Sequence, residues 1–352
     1  MAKVKITGHA SGTGVFTITA PNSNTDRTIT LPDASVTLGT DATKLSGTLP
    51  AISGASLTSV NAVNTGRKNL IINGDMRVQQ RGTGSVTSGY FVDRFTLSAC
   101  SASAVLTSST PTEFPTAISV SATSGNPIII QKIESKNCQG LSGKTVTASF
   151  YAKNISNATT LYVSLQYAGS ADNFGSTTTI SEQNLGSLSG SWVKYTASWT
   201  VPSGGLNGLA LNILCAGSST FTMGVTGVQL EVGSVATDFE HRSYGEELVL
   251  CQRYFHKHSG GRILMGWKRN DTAVGFCYYT PAIMRTSPSL AISAYGIFTN
   301  MQSSLNANPS SGSMYEYSTS GTLIFNLLSN YSGTHVVIPS WEGQTFTLDS
   351  EL

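Results

Sequence analysis

Apolar and polar side chains alternate with a period of two in segment after segment, and this pattern limits the fold more than any other feature. In LYVSLQY (161–167) the leucines, the valine and the second tyrosine fall on one face, whereas Tyr162, Ser164 and Gln166 fall on the other. WVKYTASWTV (192–201) alternates in the same way. One buried and one wetter face per sheet is typical of an antiparallel two-sheet sandwich.

The composition agrees with an all-β fold. Charged residues make up 11% of the 352 residues, well below the share in an average soluble domain, so hydroxyls and amides must solvate the surface. Apolar residues make up 39%, and the abundance of Thr, Val, Ser, Gly and aromatics favours strands joined by tight turns. Strand signals recur from Lys68 to about Glu240, which predicts a sandwich over residues 67–242.

Charge and hydropathy argue against several classes of function. The net charge is +2 without a basic cluster, so we expect no nucleic-acid partner. The N-terminus has no apolar signal region, and no apolar run of about 18 residues occurs, which predicts neither export by an N-terminal signal nor membrane insertion. The five cysteines are scattered without CxxC spacing, which predicts reduced core thiols in a protein folded in a cytosol.

The first 40 residues predict a small β segment that needs a partner. VFTIT (15–19) and TITL (28–31) alternate with a period of two and flank the polar loop APNSNTDR. A segment of this size cannot bury a core by itself. We therefore expect residues 1–40 to dock on another protein or on other copies of the chain.

Residues 41–66 have the composition of a spacer. Leu45-Ser-Gly and Ile52-Ser-Gly recur seven residues apart, and Pro50 and the glycines argue against a long helix. Either the segment is a flexible linker, or several identical chains wind together so that the sparse apolar side chains meet on a shared axis. The even placement of Leu and Ile favours the wound oligomer.

A helix signal follows the sandwich, at residues 243–256. Ser-Tyr-Gly-Glu is a capping box, in which Ser243 accepts a hydrogen bond from the amide of Glu246 and the glutamate reaches back. The apolar residues beyond it are spaced 4, 3 and 4, as in a helix that buries one narrow seam. Either this seam faces a neighbouring chain in a collar, or a short helix lies on its own sandwich. The predicted seam consists of Tyr244, Leu248, Cys251 and Phe255.

Residues 257–352 return to strand signals and predict a second, smaller β domain. This region is rich in aromatic residues beside Ser, Asn and Gln, a combination that suits sugars, because rings stack on C–H faces while polar groups bind hydroxyls. Core packing is the competing explanation for each ring. The loops near 300–320 are the segments that we expect to contact a ligand. The predicted receptor-binding residues are Trp267, Tyr295, Tyr315, Tyr317 and Trp341.

The sequence contains no linear catalytic motif. It has 19 acidic residues and no GxSxG, HExxH or P-loop, so we predict that the protein is not an enzyme. Glu246 and Glu247 lie in the first helical turn, where the helix dipole stabilises negative charge without catalysis. His256 and His258 form a metal-like pattern that supplies enough ligands only if three copies meet on an axis. Two solvated histidines, with no metal or cofactor, are the favoured interpretation.

An ordered set of stretches resembles bacteriophage tail fibre proteins. The N-terminal GVFTITAPNSNTDRTITLPD and the spacer KLSGTLPAISGASLTSV look like the attachment segment and shaft repeats of such fibres. The resemblance covers nearly the whole chain. The other stretches that carry it are KNLIINGDMRVQQRGT (68–83), YFVDRF (90–95), VQLEVGSVATDFEHRSYGEELVLCQRYF (228–255) and LDSEL.

This resemblance implies a homotrimer. Its N-terminus would join a virion tail or baseplate protein, and its C-terminal part would contact a polysaccharide or protein on the host surface. The protein would fold in the host cytoplasm, reside in the virion tail and function outside the cell.

Residues 68–240 also resemble the jelly-roll sandwiches of carbohydrate-binding modules. There, an opening Asn-Gly-Gly-Phe-Glu and a closing Asp-Asp-Val strand often hold a calcium ion. Here the opening is Asn-Gly-Asp-Met-Arg (73–77) and the closing strand is Thr-Gly-Val (226–228), so acidic ligands are missing and we expect no calcium. We predict instead that Arg77 pairs with an acid such as Glu231 on a neighbouring strand.

Together these patterns predict an all-β trimeric fibre that adheres to the host surface and is not an enzyme. The alternatives are a monomeric carbohydrate-binding module and a polysaccharide depolymerase, which would need carboxylates that converge in a cleft. The predicted segments are attachment strands (1–40), a wound shaft (41–66), a jelly-roll β-sandwich (67–242), a helical collar (243–256) and a C-terminal β-sandwich tip (257–352).

Overall fold

In the computed structural model, one compact unit contains all the residues whose structure is described. The predicted attachment segment, 1–40, and the predicted spacer, 41–66, lie outside the described residues. The described residues are 68–82, 84–98, 102–107, 110–123, 125–259, 262–263, 266–270, 273–299, 311–317, 321–328 and 340–352.

The unit is mostly β, which confirms the coarse prediction of the fold class. Its α-helix, α1, spans Tyr244–Gln252, and short 3-10 helices span Ser135–Asn137 and Ser203–Asn207. The strands are β1 (Gly89–Val92), β2 (Phe95–Ser98), β3 (Ala102–Thr107), β4 (Ala117–Ala122), β5 (Ile128–Ile133), β6 (Thr145–Ser170), β7 (Asn173–Ser187), β8 (Val193–Thr200), β9 (Leu209–Val232), β10 (Phe255–Ser259), β11 (Arg262–Ile263), β12 (Gly266–Asn270), β13 (Ala273–Tyr279), β14 (Ser289–Thr299), β15 (Ser311–Tyr317), β16 (Thr322–Leu328) and β17 (Ser340–Asp349).

Two long strands, β6 and β9, run through both sheets of the sandwich. They pair in antiparallel register from Val146 opposite Val232 to Tyr167 opposite Leu209. The second half of β6 lies between β7 and the first half of β9, and β5 extends that sheet. The first half of β6 lies between β8 and the second half of β9, and β4 extends the other sheet. The first sheet therefore has the order β1-β2-β5-β9-β6-β7, and the second has the order β3-β4-β9-β6-β8.

The core lies between these sheets and contains the apolar half of each alternation. Leu161, Val163 and Leu165 of β6 are buried, on the face that their spacing predicts. Register shifts between Asn154 and Thr160 mark the place where β6 passes from the second sheet into the first, because such bulges bend and twist a strand. The largest fully buried side chains of this core include Phe95, Phe150, Phe221, Ile71, Met76 and Ile118.

Four described cysteines are free thiols. Cys138 and Cys215 belong to the sandwich core, and Cys251 lies on the buried face of α1. Burial raises the pKa of the Cys138 and Cys215 thiols to about 12, so both stay protonated at neutral pH. They therefore act as small apolar core side chains.

Helix α1 lies against its own sandwich. Ser243 is the N-cap, and its Oγ accepts a hydrogen bond from the Glu246 amide at 3.3 Å. The buried face of the helix carries Glu247 and Cys251. The Glu247 carboxylate accepts a hydrogen bond from the backbone N–H of Asn73 at 2.6 Å, and Arg242 donates a second at 3.2 Å. These hydrogen bonds offset the free-energy cost of burying the Glu247 carboxylate.

The four residues of the predicted seam do not share one exposed face. Tyr244 is 54% exposed, whereas Leu248 is partly buried against a cluster that includes Cys251. Cys251 and Phe255 are buried within the chain itself. Within the chain, Leu248, Cys251 and Phe255 therefore pack against the domain to which the helix belongs, as in the alternative that the spacing left open. The helix is also the wrong length for a membrane span, and the described residues include no helix long and apolar enough to cross a bilayer.

Two arginines, one in the sandwich and one in the C-terminal region, bind the segment around the end of β17. Arg81 pairs with Asp349 and with Glu351, each at 3.2 Å. Arg285 donates hydrogen bonds to the carbonyls of Ser350 at 2.8 Å and Glu351 at 3.0 Å. The ion pairs of Arg81 thus join the C-terminal region to the sandwich, whereas the bonds of Arg285 lie within the C-terminal region itself.

The C-terminal region contains two further antiparallel sheets among the described strands. In one, β17 pairs with β10, β11 and β14, and in the other the order is β12-β13-β16-β15. Because β17 runs directly into the segment that Arg81 binds, the first of these sheets is anchored at its end to the sandwich.

Candidate functional site

The outer side of the first sheet carries a mixed polar and apolar surface. On β6 it presents Tyr162, Ser164 and Gln166, the residues that alternation places opposite the core. The register brings Leu214, Asn212 and Ala210 of β9 beside them, and then Ile128, Ile130 and Lys132 of β5. We call the surface formed by these nine residues the polar face. Most of its side chains are half-buried.

Asn212 is the central polar residue of this face. It is 6% exposed, and its Nδ2 donates a hydrogen bond to Ser164 Oγ at 3.3 Å. Its Oδ1 is buried and has no hydrogen-bond partner within the described part of the chain. A buried acceptor without a partner costs about 1–3 kcal/mol, so its presence requires an explanation. One explanation that fits the position of Asn212 on a sheet surface is a ligand whose hydroxyl or amide donates a hydrogen bond to Oδ1.

Gln166 is held in one orientation by hydroxyls of the neighbouring strand. Its Nε2 donates to Thr179 Oγ1 at 3.2 Å, and Thr177 Oγ1 donates to its Oε1 at 3.1 Å. Both threonines lie on β7 and are exposed. Because the amide is already oriented, a ligand that binds beside it needs to order few side chains.

Tyr162 supplies an aromatic surface at the other end of the polar face. Its partners across the sheet are Leu214 on β9 and Asn184 on β7. Leu214 is in turn opposite Ile128 of β5. An aromatic ring that continues into aliphatic side chains, with amides on the next row, can stack on the C–H face of a sugar while the amides bind its hydroxyls.

Two ionisable side chains lie at the borders of the polar face. Glu182 of β7 is exposed and stands opposite Ser164. Lys132 of β5 donates to the carbonyl of Leu352 at 2.5 Å, and burial lowers the pKa of its ammonium. The cation is therefore engaged by the chain itself, and the centre of the face is uncharged.

The receptor-binding residues predicted from the sequence are divided between the two C-terminal sheets. Tyr295 on β14 and Trp341 on β17 are in one sheet. Trp267 on β12, with Tyr315 and Tyr317 on β15, is in the other. The structure describes their backbone, whereas their side chains lie outside the described part, as do the loop residues 300–310.

His256 and His258 are not a pair of solvated histidines. His256 is buried, its Nε2 lies 2.6 Å from Tyr278 Oη, and both imidazoles pack against the Tyr278 ring. Burial, followed by repulsion from His258, lowers the pKa of His256 to about 4. Within the described residues, no three His, Cys, Asp or Glu side chains are arranged to hold a metal ion.

The predicted pair of Arg77 and Glu231 is wrong. Arg77 Nε lies 2.6 Å from Asp75 Oδ2, and its Nη2 donates to the Arg242 carbonyl at 2.8 Å. Asp75 is buried in a tight turn in which Met76 has a φ of 62°. Glu231 instead accepts hydrogen bonds from the backbone N–H and the hydroxyl of Thr237, both at 2.7 Å.

No protein-family model and no curated protein matches the chain, whereas several solved structures are similar to it. The enzymatically active domain of tailspike protein 4 from bacteriophage CBA120 is 16% identical, with a TM-score of 0.34, over 47% of this chain and 21% of that domain. The CBM22-1 xylan-binding domain of Paenibacillus barcinonensis Xyn10C is 12% identical, with a TM-score of 0.33, over 48% of this chain and 96% of that one. TmCBM61, solved with β-1,4-galactotriose, is 9% identical, with a TM-score of 0.31, over 47% of this chain and all of that one.

Part of the polar face could be predicted from the sequence. Alternation assigned Tyr162, Ser164 and Gln166 to the wetter side of their strand. Asn212 was missed, although it is the one amide in the otherwise apolar stretch GLALNILC, and a polar residue in such a stretch is a usable signal.

Proposed function

We propose that the protein is a structural virion protein, a bacteriophage tail fibre that adheres to a glycan on the host surface. The observation that carries the glycan assignment is the polar face, where Asn212, whose Oδ1 is unpartnered, stands in the row of residues between those of Tyr162 and of the oriented Gln166. These are the groups that a neutral sugar needs, namely a ring for its C–H face and amides for its hydroxyls.

The fibre assignment rests on the resemblance of the chain to tail fibre proteins, and the packing of the resembling stretches supports it. Asn73 of the first stretch contacts Asp93 of the second and Glu247 of the third. Arg81 of the first stretch pairs with Asp349 in LDSEL. The separate stretches form one junction around α1, which explains why they would occur as a set.

As a fibre, the protein is a homotrimer whose N-terminus docks on a virion tail or baseplate protein. It folds in the host cytoplasm, resides in the virion tail and functions outside the cell. Weak glycan sites on three chains and several fibres would give strong adhesion through effective concentration. Trp267, Tyr295, Tyr315, Tyr317 and Trp341 remain proposed receptor contacts of the distal region.

The proposal includes no catalysis, no cofactor, no nucleic acid and no membrane insertion. Its support is that buried carboxylates have structural partners: Glu134 pairs with Arg253 at 2.7 Å, and Glu247 bonds Arg242. The alternatives are a monomeric carbohydrate-binding module and a depolymerase. A depolymerase would shorten the polysaccharide that it binds, which gel filtration of the polysaccharide detects.

A printed array of bacterial surface polysaccharides tests the proposed function with the full-length protein. The wild type is expected to bind at least one polysaccharide. Tyr162→Ala and Gln166→Ala are expected to weaken that binding about tenfold each, because each removes one stacking or hydrogen-bonding group.

The matched control is Tyr244→Ala, which removes an equally large exposed ring away from the polar face. It should bind as the wild type does. Retention of full binding by Tyr162→Ala and Gln166→Ala, or the absence of any retained polysaccharide, would contradict the proposal.

A further inference from the structure

The second sheet of the sandwich carries a separate group of aromatic side chains on its outer side. Tyr151 belongs to the half of β6 that pairs with β8, so it lies on the opposite sheet from the polar face. Its neighbours there are rings from loops at the edge of the sheet. We call the group formed by Trp192, Tyr151, Phe114, Phe239 and His241 the aromatic strip.

Phe114 anchors the aromatic strip. It is buried, and its ring centroid lies 5.3 Å from that of Tyr151 and 5.1 Å from that of Phe239. Gly227 lies under it with a φ of +61°, and a Cβ there would come within 2.5 Å of the Phe114 ring. The backbone is thus shaped to admit this ring, and Phe114 itself is a structural residue.

Trp192 extends the strip along the sheet. The edge of its indole lies against Gly224 of β9, where a Cβ would come within 2.7 Å of Cη2. Ile155, which is 46% exposed, lies beside the same glycine, and Lys153 Nζ is 6.0 Å from the indole centroid. Lys153 and Tyr151 are two residues apart on β6, which places the two aromatic surfaces about 7 Å from each other along the strand.

Unlike Phe114, the other members of the strip keep surface for a ligand. Trp192, Tyr151 and Phe239 are half-buried and His241 is exposed. Trp192, Tyr151 and Phe239 thus keep part of their side-chain surface exposed, and a flat ligand can contact it.

Polar groups of both signs border the aromatic strip. Tyr151 Oη donates to Glu113 Oε1 at 3.1 Å, and Glu113 is exposed. Lys153, two residues from Tyr151 on β6, lies at the Trp192 end of the strip. A carboxylate and an ammonium within reach of these rings can both bind the hydroxyls of a neutral sugar, and charges of both signs at the border leave the strip without a net attraction for an acidic sugar. The interior of a protein interface, by contrast, is depleted of such charges.

We propose that the aromatic strip is a second glycan-binding site, which takes a neutral pyranose chain across Trp192 and Tyr151 with Glu113 as a hydroxyl acceptor. The inference rests on the proposed function for its class of ligand. It adds that one sandwich holds two glycan chains, one on each sheet. A single sandwich would then cross-link host-surface chains as well as multiply its contacts with one of them.

Native affinity electrophoresis of the full-length protein tests this inference. The gels contain a soluble neutral polysaccharide (a glucan, a galactan or a xylan) or, for comparison, polygalacturonate. The variants are Trp192→Ala, Glu113→Ala and Tyr162→Ala, the double variant Tyr162→Ala/Trp192→Ala, and Tyr244→Ala as the control. Glu113→Ala keeps the test decisive if Trp192→Ala fails to fold, because Glu113 is exposed.

The inference predicts that a neutral polysaccharide retards the wild type and that Trp192→Ala and Glu113→Ala each weaken retardation about tenfold, whereas polygalacturonate has no such effect. The double variant should lose all retardation, and titration with an oligosaccharide of the retained polymer should give two sites per chain in the wild type and one in Trp192→Ala.

The two proposals fail in different ways. If Trp192→Ala and Glu113→Ala match the wild type while Tyr162→Ala abolishes retardation, the aromatic strip is refuted and the polar face stands. If Tyr162→Ala matches the wild type while Trp192→Ala abolishes retardation, the strip stands and the polar face is refuted. If no neutral polysaccharide retards the wild type, both are refuted.

Discussion

Glu351 should be one of the side chains on which the stability of the described unit depends most. It forms a salt bridge with Arg94, whose side chain is 1% exposed. The Arg94 guanidinium lies 3.5 Å from the centroid of the Tyr254 ring, and its Nη2 donates to the Lys132 carbonyl at 2.6 Å. The substitution Glu351→Gln removes the negative charge and keeps the shape of the side chain.

The expected loss follows from burial. With the carboxylate gone, the guanidinium stays enclosed without an opposite charge, and breaking a buried pair in this way costs about 3–5 kcal/mol. Arg81 also loses one partner but keeps Asp349 at 3.2 Å, and this more exposed pair adds little. We therefore expect the free energy of unfolding to fall by about 3–5 kcal/mol.

Urea unfolding at pH 7, followed by tryptophan fluorescence, measures this change. Glu182→Gln removes an exposed carboxylate and should stay within about 0.5 kcal/mol of the wild type. Arg94→Met/Glu351→Met replaces the whole pair by apolar groups and should be more stable than Glu351→Gln, because no unpaired charge remains. If Glu351→Gln unfolds as Glu182→Gln does, the ion pair does not hold this junction.

Two other predictions follow from particular contacts, and a third follows from the proposed trimer. His256→Phe removes a buried base whose pKa is lowered from 6.5 to about 4. The free energy of unfolding of the wild type should therefore fall by about 3 kcal/mol relative to that of the variant between pH 6.5 and pH 4. Urea titrations at each pH measure this difference, and a difference that stays constant with pH would contradict the prediction. Leu248→Asp should lower the free energy of unfolding by about 1–3 kcal/mol, whereas Tyr244→Asp should change it by less than about 0.5 kcal/mol, and equal losses would mean that α1 does not pack as described. Sedimentation velocity of the full chain should give the mass of three chains of 37.0 kDa each, and the mass of one chain would exclude the fibre.

The sandwich was predictable because its signal is local and repeated. Strand alternation such as that of Leu161, Val163 and Leu165 needs no knowledge of the partner strand. The capping of α1 by Ser243 is local for the same reason, since cap and amide are three residues apart. Features of this kind can be read from a few neighbouring residues.

The orientation of α1 and the composition of the polar face depend on distant residues. Apolar spacing predicted a seam through Tyr244 and Leu248, whereas the helix buries the charged Glu247, which becomes tolerable because Asn73 and Arg242 bond its carboxylate. No pattern within the helix announces those partners.

Asn212 joins the polar face for a similar reason. The register of β9 against β6 brings it beside Ser164, and register is set by the whole sheet. Arg77 shows the opposite error: its partner Asp75 is two residues away in a turn, while the prediction looked for an acid on a neighbouring strand.

The central claim, that the chain binds a glycan on the polar face, is tested most directly by isothermal titration of the wild type and Asn212→Ala with an oligosaccharide of a polysaccharide that the array retains. The account predicts that the wild type binds and that the Kd at this site is about tenfold higher in Asn212→Ala, because the variant lacks the acceptor Oδ1 for a ligand donor. A single cooperative thermal unfolding transition of Asn212→Ala checks that the variant is folded. An unchanged Kd in a folded Asn212→Ala, or a wild type that releases no heat with any retained glycan, would contradict it.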